Sequence, residues 1–384
     1  MHVDDTITNK MNSKRRRDMQ LIKKVTWFQI LAIILVCIGT VFLVAHNDRF
    51  YSDPIMKVTS VKNQGKYKVT DEFQNVDHQH KQLVSGTITN GKYAGKKLTI
   101  SNLYSDSGAM DHNLHKGQKV FLTVHKQPNL RATVKDVKRD TSVAFLFALA
   151  ICLLLVFLKW QGITVISSIV INSILFIIAI RINEHIQGAR VILNFSILAL
   201  IFCVITLLLV VGWNQRMVIS LASVVGATAL TIIILMIVFR VTHERGVYYE
   251  SMQYVTQLPR PLFVAEVLIG VLGAVMDESV DIVASLATLK TERPELTRRE
   301  IFDSGRQIGK SIMGPLVNVL FFVFMAETLP MTLLFLKNGN SWGYSFSMNM
   351  SLGMLSSLVS AIGIVMTVIF SSFLSSIWLK AGEK

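Results

Sequence analysis

Residues 217–239 carry no charged side chain and read MVISLASVVGATALTIIILMIVF. At 1.5 Å per residue, a helix of this length crosses the roughly 30 Å hydrocarbon core of a bilayer. Comparable apolar runs lie on both sides of it. Together they predict membrane-spanning helices near residues 26–45, 142–159, 163–181, 191–212, 217–239, 261–289, 311–337 and 351–379. The predicted fold is a polytopic α-helical membrane protein with about eight transmembrane helices.

The composition of the chain agrees with a membrane protein. Hydrophobic residues make up 51% of the 384 residues, charged residues make up 17%, and the mean hydropathy is +0.48. A water-soluble chain of this size has too little interior to bury so much apolar surface. The composition therefore excludes a soluble enzyme, a soluble nucleic-acid-binding domain and a disordered chain.

The net charge is +14, and the positions of the basic residues predict the orientation of the chain in the membrane. The basic residues that precede the first apolar run are Lys10, Lys14, Arg15, Arg16, Arg17, Lys23 and Lys24. The positive-inside rule places residues 1–25 in the cytoplasm. Threading eight helices from there also places the basic segment 290–310 and the C-terminus in the cytoplasm. We expect a multi-pass protein of the cell membrane whose partner is the lipid bilayer and not nucleic acid.

The first apolar run, residues 26–45, predicts a transmembrane anchor. It is longer than the apolar core of a signal peptide, and Val44-Ala45-His46 lacks the small-residue cleavage pattern. We therefore expect the anchor to remain uncleaved. Residues 47–140, which lie between the first two spans, are then extracytoplasmic.

Residues 47–140 show the period-two alternation that is typical of β-strands. The alternating segments are 66–70, 82–89, 97–101, 119–124 and 132–137. Turn signals separate them, among them Asn90-Gly91, Lys116-Gly117 and Pro128-Asn129. Short strands joined by such turns predict a small extracytoplasmic domain that resembles an antiparallel β-barrel.

Four histidines of this domain have spacings that metal sites use, in His78-Gln-His80 and His112-Asn-Leu-His115. Their polar neighbours, which include Gln, Asn, Ser and Gly, favour exposed loops over a metal site. We predict no metal and no cofactor.

The sixth span, residues 261–289, differs from the others because it carries acids. At 100° per residue, one face of this helix collects Glu266, Gly270, Gly273, Asp277, Asp281 and Ser285. Each carboxylate at the bilayer midplane costs about 2.5 to 3.5 kcal/mol, so this face is expected to meet a cavity or other helices. The candidate intramembrane ion site comprises Glu266, Asp277, Glu278, Asp281 and, on the next span, Asn318. The expected counter-charges for Asp277 and Asp281 are Arg306 and Lys310.

A structural interpretation of these acids stays open at this point. In it, Asp277, Glu278 and Asp281 sit at the cytoplasmic headgroup level, partly hydrated, and pair with the basic segment 290–310. The same residues would then form an interface and bind no ion.

The boundary between spans six and seven has clear local signals. Pro294 predicts the end of one helix, and Thr297-x-x-Glu300 is a capping box that predicts the start of the next. Gly305-x-x-x-Gly309 has one residue too few for a phosphate-binding loop and matches the small-xxx-small pattern of close helix contacts.

Small residues mark further packing and hinge positions. The predicted packing or hinge residues are Gly270, Gly273, Gly305, Gly309, Gly314 and Pro315. Gly314-Pro315 predicts a local break that frees backbone carbonyls. The eighth span carries small residues suited to packing against the hairpin of spans six and seven, namely Ser356, Ser357, Ser360, Gly363, Ser371, Ser372, Ser375 and Ser376.

Two motifs resemble a known family. They are Gly273-Ala-Val-Met-Asp277 and Ser304-Gly305-x-x-Ile-Gly-Lys310-x-Ile-Met-Gly314, the second followed by Asn318. They resemble the YibE/F-like multi-pass membrane protein family over residues 141–384, a seven-helix membrane domain. The anchor and β domain resemble the longer member type of that family. The resemblance implies fold and membrane location, and it marks Gly273, Asp277, Ser304, Gly305, Gly309, Gly314 and Asn318 as candidate site positions without assigned roles.

The function expected from these observations is transport. A transporter or permease for a cation or small solute would bind the ion or proton at Asp277 and Asp281. The alternative is a non-catalytic envelope scaffold or partner-binding membrane protein that acts through its outer domain. An enzyme is not predicted, because no Ser/His/Asp set, metal cage or phosphate loop is visible. The expected protein partner is a shorter related membrane protein, which the resemblance implies, or a second copy of the chain.

Overall fold

A computed structural model describes residues 27, 30–108, 111–125, 131–184, 190–252 and 258–379. The chain divides into two compact units, Met1–Gly162 and Ile163–Lys384.

The first unit contains two apolar helices with a β-sheet between them in the chain. The helices are α1 (Ile30–Ala45) and α2 (Asp140–Leu158). The strands are β1 (Ile55–Thr70), β2 (Val76–Ile88), β3 (Lys97–Ser105), β4 (Lys119–His125) and β5 (Arg131–Val137). Each alternating segment of the sequence overlaps one of these strands. The turn predicted at Pro128-Asn129 lies outside the described residues.

The strands form one antiparallel sheet in the order β3-β2-β1-β4-β5. β1 pairs with β2 from Met56 to Thr70, but with β4 only through Ile55–Lys57. The predicted barrel is therefore wrong: the sheet is open, and β3 and β5 are its edge strands. Alternation indicates which side of a strand faces the core, whereas closure depends on how far each pair of strands runs together.

One side of the sheet buries a small apolar core. Its buried members are Met56, Val58, Val84, Ile88, Ile100, Leu114, Val120 and Leu122. The part of β1 beyond Val61 extends past this core, and its side chains are largely exposed. The sheet therefore has a packed half and an exposed hairpin.

A buried cation joins the end of α1, the sheet and the start of α2. The side chain of Lys138 is 1% exposed, and its Nζ lies 2.8 Å from Asp140 and 3.6 Å from Asp48. The same amine donates to Asn47 Oδ1 at 2.8 Å, and the Tyr51 hydroxyl donates to Asp140 at 2.9 Å. Because Asn47 follows α1 and Asp140 begins α2, this network ties both helix ends to the sheet.

The second unit consists of helices. In chain order they are α3 (Trp160–Asn183), which begins at the end of the first unit, α4 (Arg190–Val210), α5 (Gln215–Thr242), α6 (Pro259–Glu292), α7 (Arg298–Lys337), α8 (Trp342–Ser345) and α9 (Ser351–Trp378). A π-helical turn, Phe346–Met350, joins α8 to α9.

Six helical segments of the described chain are long and apolar enough to cross a membrane. They are α2, α3, α4, α5, α7 and the segment Trp342–Trp378 that contains α8 and α9. The apolar α1 and the acid-bearing α6 lie at the other two predicted spans. The helix count therefore fits the predicted number of about eight.

The connection between α6 and α7 follows its local signals. α6 ends at Glu292, before Pro294, and the capping box is confirmed because Thr297 accepts from the Glu300 amide while the Glu300 carboxylate accepts from the Thr297 amide. The non-helical connection is residues 293–297, so most of segment 290–310 is helical. α7 also continues through Pro315, where the sequence predicts a local break. A single proline removes one hydrogen bond, and the bonds on either side keep the helix continuous.

The core of the second unit forms where α9 packs against α5, α6 and α7. Glycines permit this close approach. A Cβ on Gly226 of α5 would meet the ring of Phe370, and a Cβ on Gly353 would meet the ring of Phe324 on α7. Backbone surface without a side chain thus forms the holes into which neighbouring side chains pack.

Candidate functional site

The acids and glycines of α6 lie along one exposed face. We call Glu266, Gly270, Gly273, Asp277, Asp281 and Ser285 the α6 stripe, and all six are exposed. A Cβ added to Gly270 or Gly273 would meet no atom within 4 Å. The opposite face of α6 is buried against the apolar core. The α6 stripe therefore lies outside the apolar core of its unit.

The contacts of Gly363 give the level of the α6 stripe along the helices. Gly363 lies near the middle of α9, an apolar helix of 28 residues. A Cβ on Gly363 would lie 2.9 Å from Val271 and 3.0 Å from Val275 of α6. Gly273, midway between these two valines, is therefore level with the middle of α9.

The acids of the α6 stripe lie close to this level. At 1.5 Å per residue, Asp277 is about 6 Å from it along the helix axis, Asp281 about 12 Å and Glu266 about 10 Å in the other direction. The hydrocarbon core extends roughly 15 Å to each side of its midplane. When the middle of α9 is placed at the midplane, all three carboxylates lie within about 15 Å of it along α6.

The polar residues of α7 are also exposed. They are Lys310, Gly314, Pro315, Asn318 and Glu327. The carboxylate of Glu327 is near enough to that of Glu266 for the two to repel each other. A Cβ on Gly314 would meet no atom within 4 Å.

Arg306 of α7 has a different partner from the predicted one. Arg306 lies 3.8 Å from Asp303, one turn away on the same helix. Among the ion pairs of the described residues, none joins Arg306 or Lys310 to Asp277 or Asp281.

Gly305 and Gly309 lie on the other side of α7, where they are buried against α9. A Cβ on Gly305 would collide with Ser372, and a Cβ on Gly309 would collide with Val368. The predicted packing or hinge glycines therefore divide into a packed pair on α7, Gly305 and Gly309, and the open positions Gly270, Gly273 and Gly314.

Glu278 has the opposite environment from its neighbour Asp277. Its residue is 0% exposed, and neither carboxylate oxygen has a hydrogen-bond partner among the described residues. On the helix wheel it shares a face with Val271, Val275 and Ile282, which pack in the core. The structure therefore separates Glu278 from the other acids of the candidate site.

Serine hydroxyls surround the level of Glu278. Ser371 of α9 donates to Ser279 at 3.1 Å, and Ser279 donates to the carbonyl of Ser220 on α5 at 3.4 Å. Ser375, one turn further along α9, is also buried, and its hydroxyl has no partner in the described chain. A chain of hydrogen bonds thus joins α9, α6 and α5 at Ser279, the residue that follows Glu278.

The histidines of the β domain contact acids. His78 and His80 lie on β2, so the loop interpretation is wrong for this pair, and they approach Asp106 at 3.3 Å and 2.7 Å. The hydrogen bond from His80 holds the pKa of Asp106 below its ordinary value. His112 lies 3.7 Å from Asp136. The described residues include no group of three or more His, Cys, Asp or Glu side chains placed to hold a metal ion.

Two features had weak signals in the sequence. The Lys138 network could be suspected only from the adjacent Lys138-Arg139-Asp140 at the start of an apolar run. The burial of Glu278 follows from the 100° turn that separates it from Asp277, but only once the inward face of α6 is known.

Comparisons with known proteins identify a family for both parts of the chain. Residues 146–381 match the family model described as YibE/F-like protein, and residues 49–137 match the YibE/F family N-terminal domain. No curated protein and no solved structure matches the chain. Since the first match alone covers more than half of the sequence, the chain belongs to the YibE/F-like protein family.

Proposed function

We propose that this protein is a membrane permease for a cation or small solute, and that the solute passes along the α6 stripe. The observation that supports the proposal is the row of exposed carboxylates and glycines at the level where the apolar helices have their middle. Glycines leave the backbone open beside the acids, so a solute can approach both carboxylates and helix carbonyls.

The energetic cost of the α6 stripe supports a polar surrounding. Each carboxylate exposed to lipid at this depth costs about 2.5 to 3.5 kcal/mol. Glu266, Asp277 and Asp281 together would cost several kcal/mol, which is comparable with the whole stability of a typical domain. Water in a solute path, or a second membrane chain, removes that cost. The proposed covering chain is a second copy of this protein or a shorter related membrane protein.

The charge distribution supports an orientation for the permease. The basic N-terminal residues and the basic segment 290–310 both lie in the cytoplasm in this proposal. The β domain is then extracytoplasmic, and α6 runs from the outer side to the inner side. Asp277 and Asp281 lie in the inner half of the path.

A flux measurement tests the permease. Purified protein in proteoliposomes is assayed for proton- or cation-coupled flux, as wild type and as the double variant Asp277→Asn/Asp281→Asn. We expect the double variant to lose the flux, because the amides keep the shape but remove the charges that bind a cation. The matched control is Asp303→Asn, which removes an exposed carboxylate of α7 outside the α6 stripe. Wild-type flux in the double variant would refute the role of these residues.

A second function, a partner-binding envelope scaffold, is favoured by a different observation. The tip of the β1–β2 hairpin exposes a group of large apolar side chains, and the most exposed are Tyr67 at 57%, Phe73 at 59% and Val76 at 52%. At about 3.3 Å per residue, this tip lies roughly 50 Å along β1 from the Lys138 network. Clustered exposed apolar side chains mark sites of protein or membrane contact.

The two functions respond differently to changes in the β domain. The variant Phe73→Ser/Val76→Ser should abolish cross-linking of the hairpin tip to a partner when the protein is a scaffold. The same variant should leave flux unchanged when the protein is a permease. Loss of flux in this variant with the α6 stripe intact would contradict a permease path confined to the helical unit.

A further inference from the structure

The carboxyl group of Glu278 presents an electrostatic problem that its surroundings do not solve. It is fully buried, its oxygens accept no hydrogen bond, and no ion pair joins it to a basic residue within the described ranges. An isolated ionised carboxylate in an apolar interior is so unfavourable that such groups become neutral instead. Something must therefore neutralise the charge of Glu278.

The helices packed against α6 supply no counter-charge at this position. α9 has no titratable side chain, and α5 has none between Arg216 and Arg240 at its two ends. The titratable side chains of α4 are Arg190 at its start and the thiol Cys203. The 3-10 turn before α6 contributes Tyr249 and Glu250 near the opposite end of α6.

The remaining charges lie on α7 and on α6 itself. On α7 the charged and titratable side chains are Arg298, Arg299, Glu300, Asp303, Arg306, Lys310, Glu327 and Lys337. None of them forms an ion pair with Glu278 in the described chain, and Lys310 is exposed. On α6, Asp277 and Asp281 are exposed, and the like charge of Asp281 is near enough to repel Glu278. The nearest charge thus disfavours a second negative charge further.

The oxygen atoms around Glu278 suit a proton better than a metal cation. An alkali ion needs several oxygens to replace its water shell. The Ser371 hydroxyl donates a hydrogen bond to the Ser279 hydroxyl, which donates to the backbone carbonyl of Ser220. Ser372 and Thr367 donate to carbonyls of their own helix. In this region of the described chain, the buried side-chain oxygens without a hydrogen-bond partner are the two of the Glu278 carboxyl group and the Ser375 hydroxyl.

We propose that Glu278 is a proton-binding site in the core of the helical unit, where α5, α6 and α9 meet. The side chain is held there as a neutral carboxylic acid. It releases its proton only when α6 moves relative to α5 and α9, so that water reaches the carboxyl group. The proton site does not depend on transport. Its coupling to solute movement along the α6 stripe, on the adjacent exposed face of the same helix, rests on the proposed function.

Carbodiimide labelling tests the proton site in the full-length protein. Dicyclohexylcarbodiimide enters apolar regions and reacts with protonated carboxyl groups. The acid gives its proton to one nitrogen of the reagent, its oxygen bonds to the central carbon, and the acyl group then migrates to nitrogen to form a stable N-acylurea. Peptide mass spectrometry of the wild type should find this adduct on Glu278, with a yield that falls as the pH rises.

Variants and a second reagent provide the controls. Glu278→Gln should abolish the adduct, whereas Asp281→Asn should keep it. A water-soluble carbodiimide with an added amine should modify Asp277 and Asp281 but not Glu278. An apolar reagent that labels Asp277 and leaves Glu278 unlabelled would overturn the proposal. Protection of Glu278 by sodium at constant pH would also overturn it, because the ligand would then be a metal cation.

The same vesicles separate this inference from the proposed function. An adduct on Glu278 in vesicles that show no flux would support the proton site and refute the permease. Flux without an adduct would support the permease and refute the proton site.

Discussion

Asp277 and Glu278 are neighbours in the chain but lie on different faces of α6, one exposed and one buried. Asp277 belongs to an exposed row of acids and glycines, and Glu278 is 0% exposed among apolar side chains and serines. Each residue of an α-helix is turned by 100° from the previous one, so a single step in sequence moves a carboxyl group from the outside to the core. Charge alone therefore does not define a site, because the face on which the charge lies decides what it can bind.

The largest expected effect comes from comparing a buried charge with an exposed charge in the β domain. Lys138→Met should lower the free energy of unfolding by about 3 kcal/mol, because it leaves the largely buried carboxylate of Asp140 without its cation. Lys135→Met is the matched control, since Lys135 is 56% exposed and pairs with Asp53 at 2.7 Å. Its loss should be about 0 to 1 kcal/mol. Thermal melting of the full chain in detergent measures both, and equal losses would contradict the distinction.

The glycines of α7 test the same difference through packing. Gly309→Leu should lower the free energy of unfolding by about 1 to 3 kcal/mol, because its side chain would collide with Val368. Gly314→Leu, five residues along the same helix, should leave melting nearly unchanged, since a Cβ there meets nothing within 4 Å. If Gly314→Leu is as destabilising as Gly309→Leu, the open side of α7 is covered in the folded protein.

The two faces of α6 should respond differently when an acid is replaced by methionine. Glu278→Met should raise the free energy of unfolding by about 1 to 3 kcal/mol, because it removes a buried carboxyl group without hydrogen-bond partners. Asp277→Met should change it by less than about 0.5 kcal/mol, as at other exposed positions. The measurement is again melting of the full chain in detergent. Destabilisation by Glu278→Met would show that the carboxyl group has a stabilising partner.

The smallest effect is expected at an exposed acid of the β domain. The His80 hydrogen bond lowers the pKa of Asp106, so its contribution to stability is present above the ordinary pKa of about 4 and is lost as the pH falls through the lowered value. The difference in melting temperature between wild type and Asp106→Asn should therefore shrink below that pH. Lys66→Met, which removes the weaker contact at 3.3 Å, should have a smaller effect at neutral pH. A difference that stays constant with pH would contradict this assignment.

Much of the architecture could be predicted because it depends on short-range chemistry. A long apolar run has few alternatives to a membrane-spanning helix, since every backbone polar group must be satisfied within the segment. The Thr297–Glu300 capping box depends on residues three apart and forms as predicted. The five alternating segments became strands for the same local reason.

Other features required contacts between distant residues. The β-sheet stays open because β1 and β4 share only three paired residues, which no alternation pattern reveals. Arg306 pairs with Asp303 and not with an acid of α6, because the helix already places an acid within one turn. The periodicity of α6 predicts that its acids align, but not which way the aligned face points.

The amino-acid sequence by itself determined the membrane class, the positions of the helices and strands, and the alignment of acids along α6, because these follow from hydropathy and from fixed rotation per residue. Only the tertiary structure decided that Glu278 is inside and Asp277 outside. That choice depends on which face of α6 meets α5 and α9, and glycines far away in the chain, such as Gly363, set it by admitting Val271 and Val275.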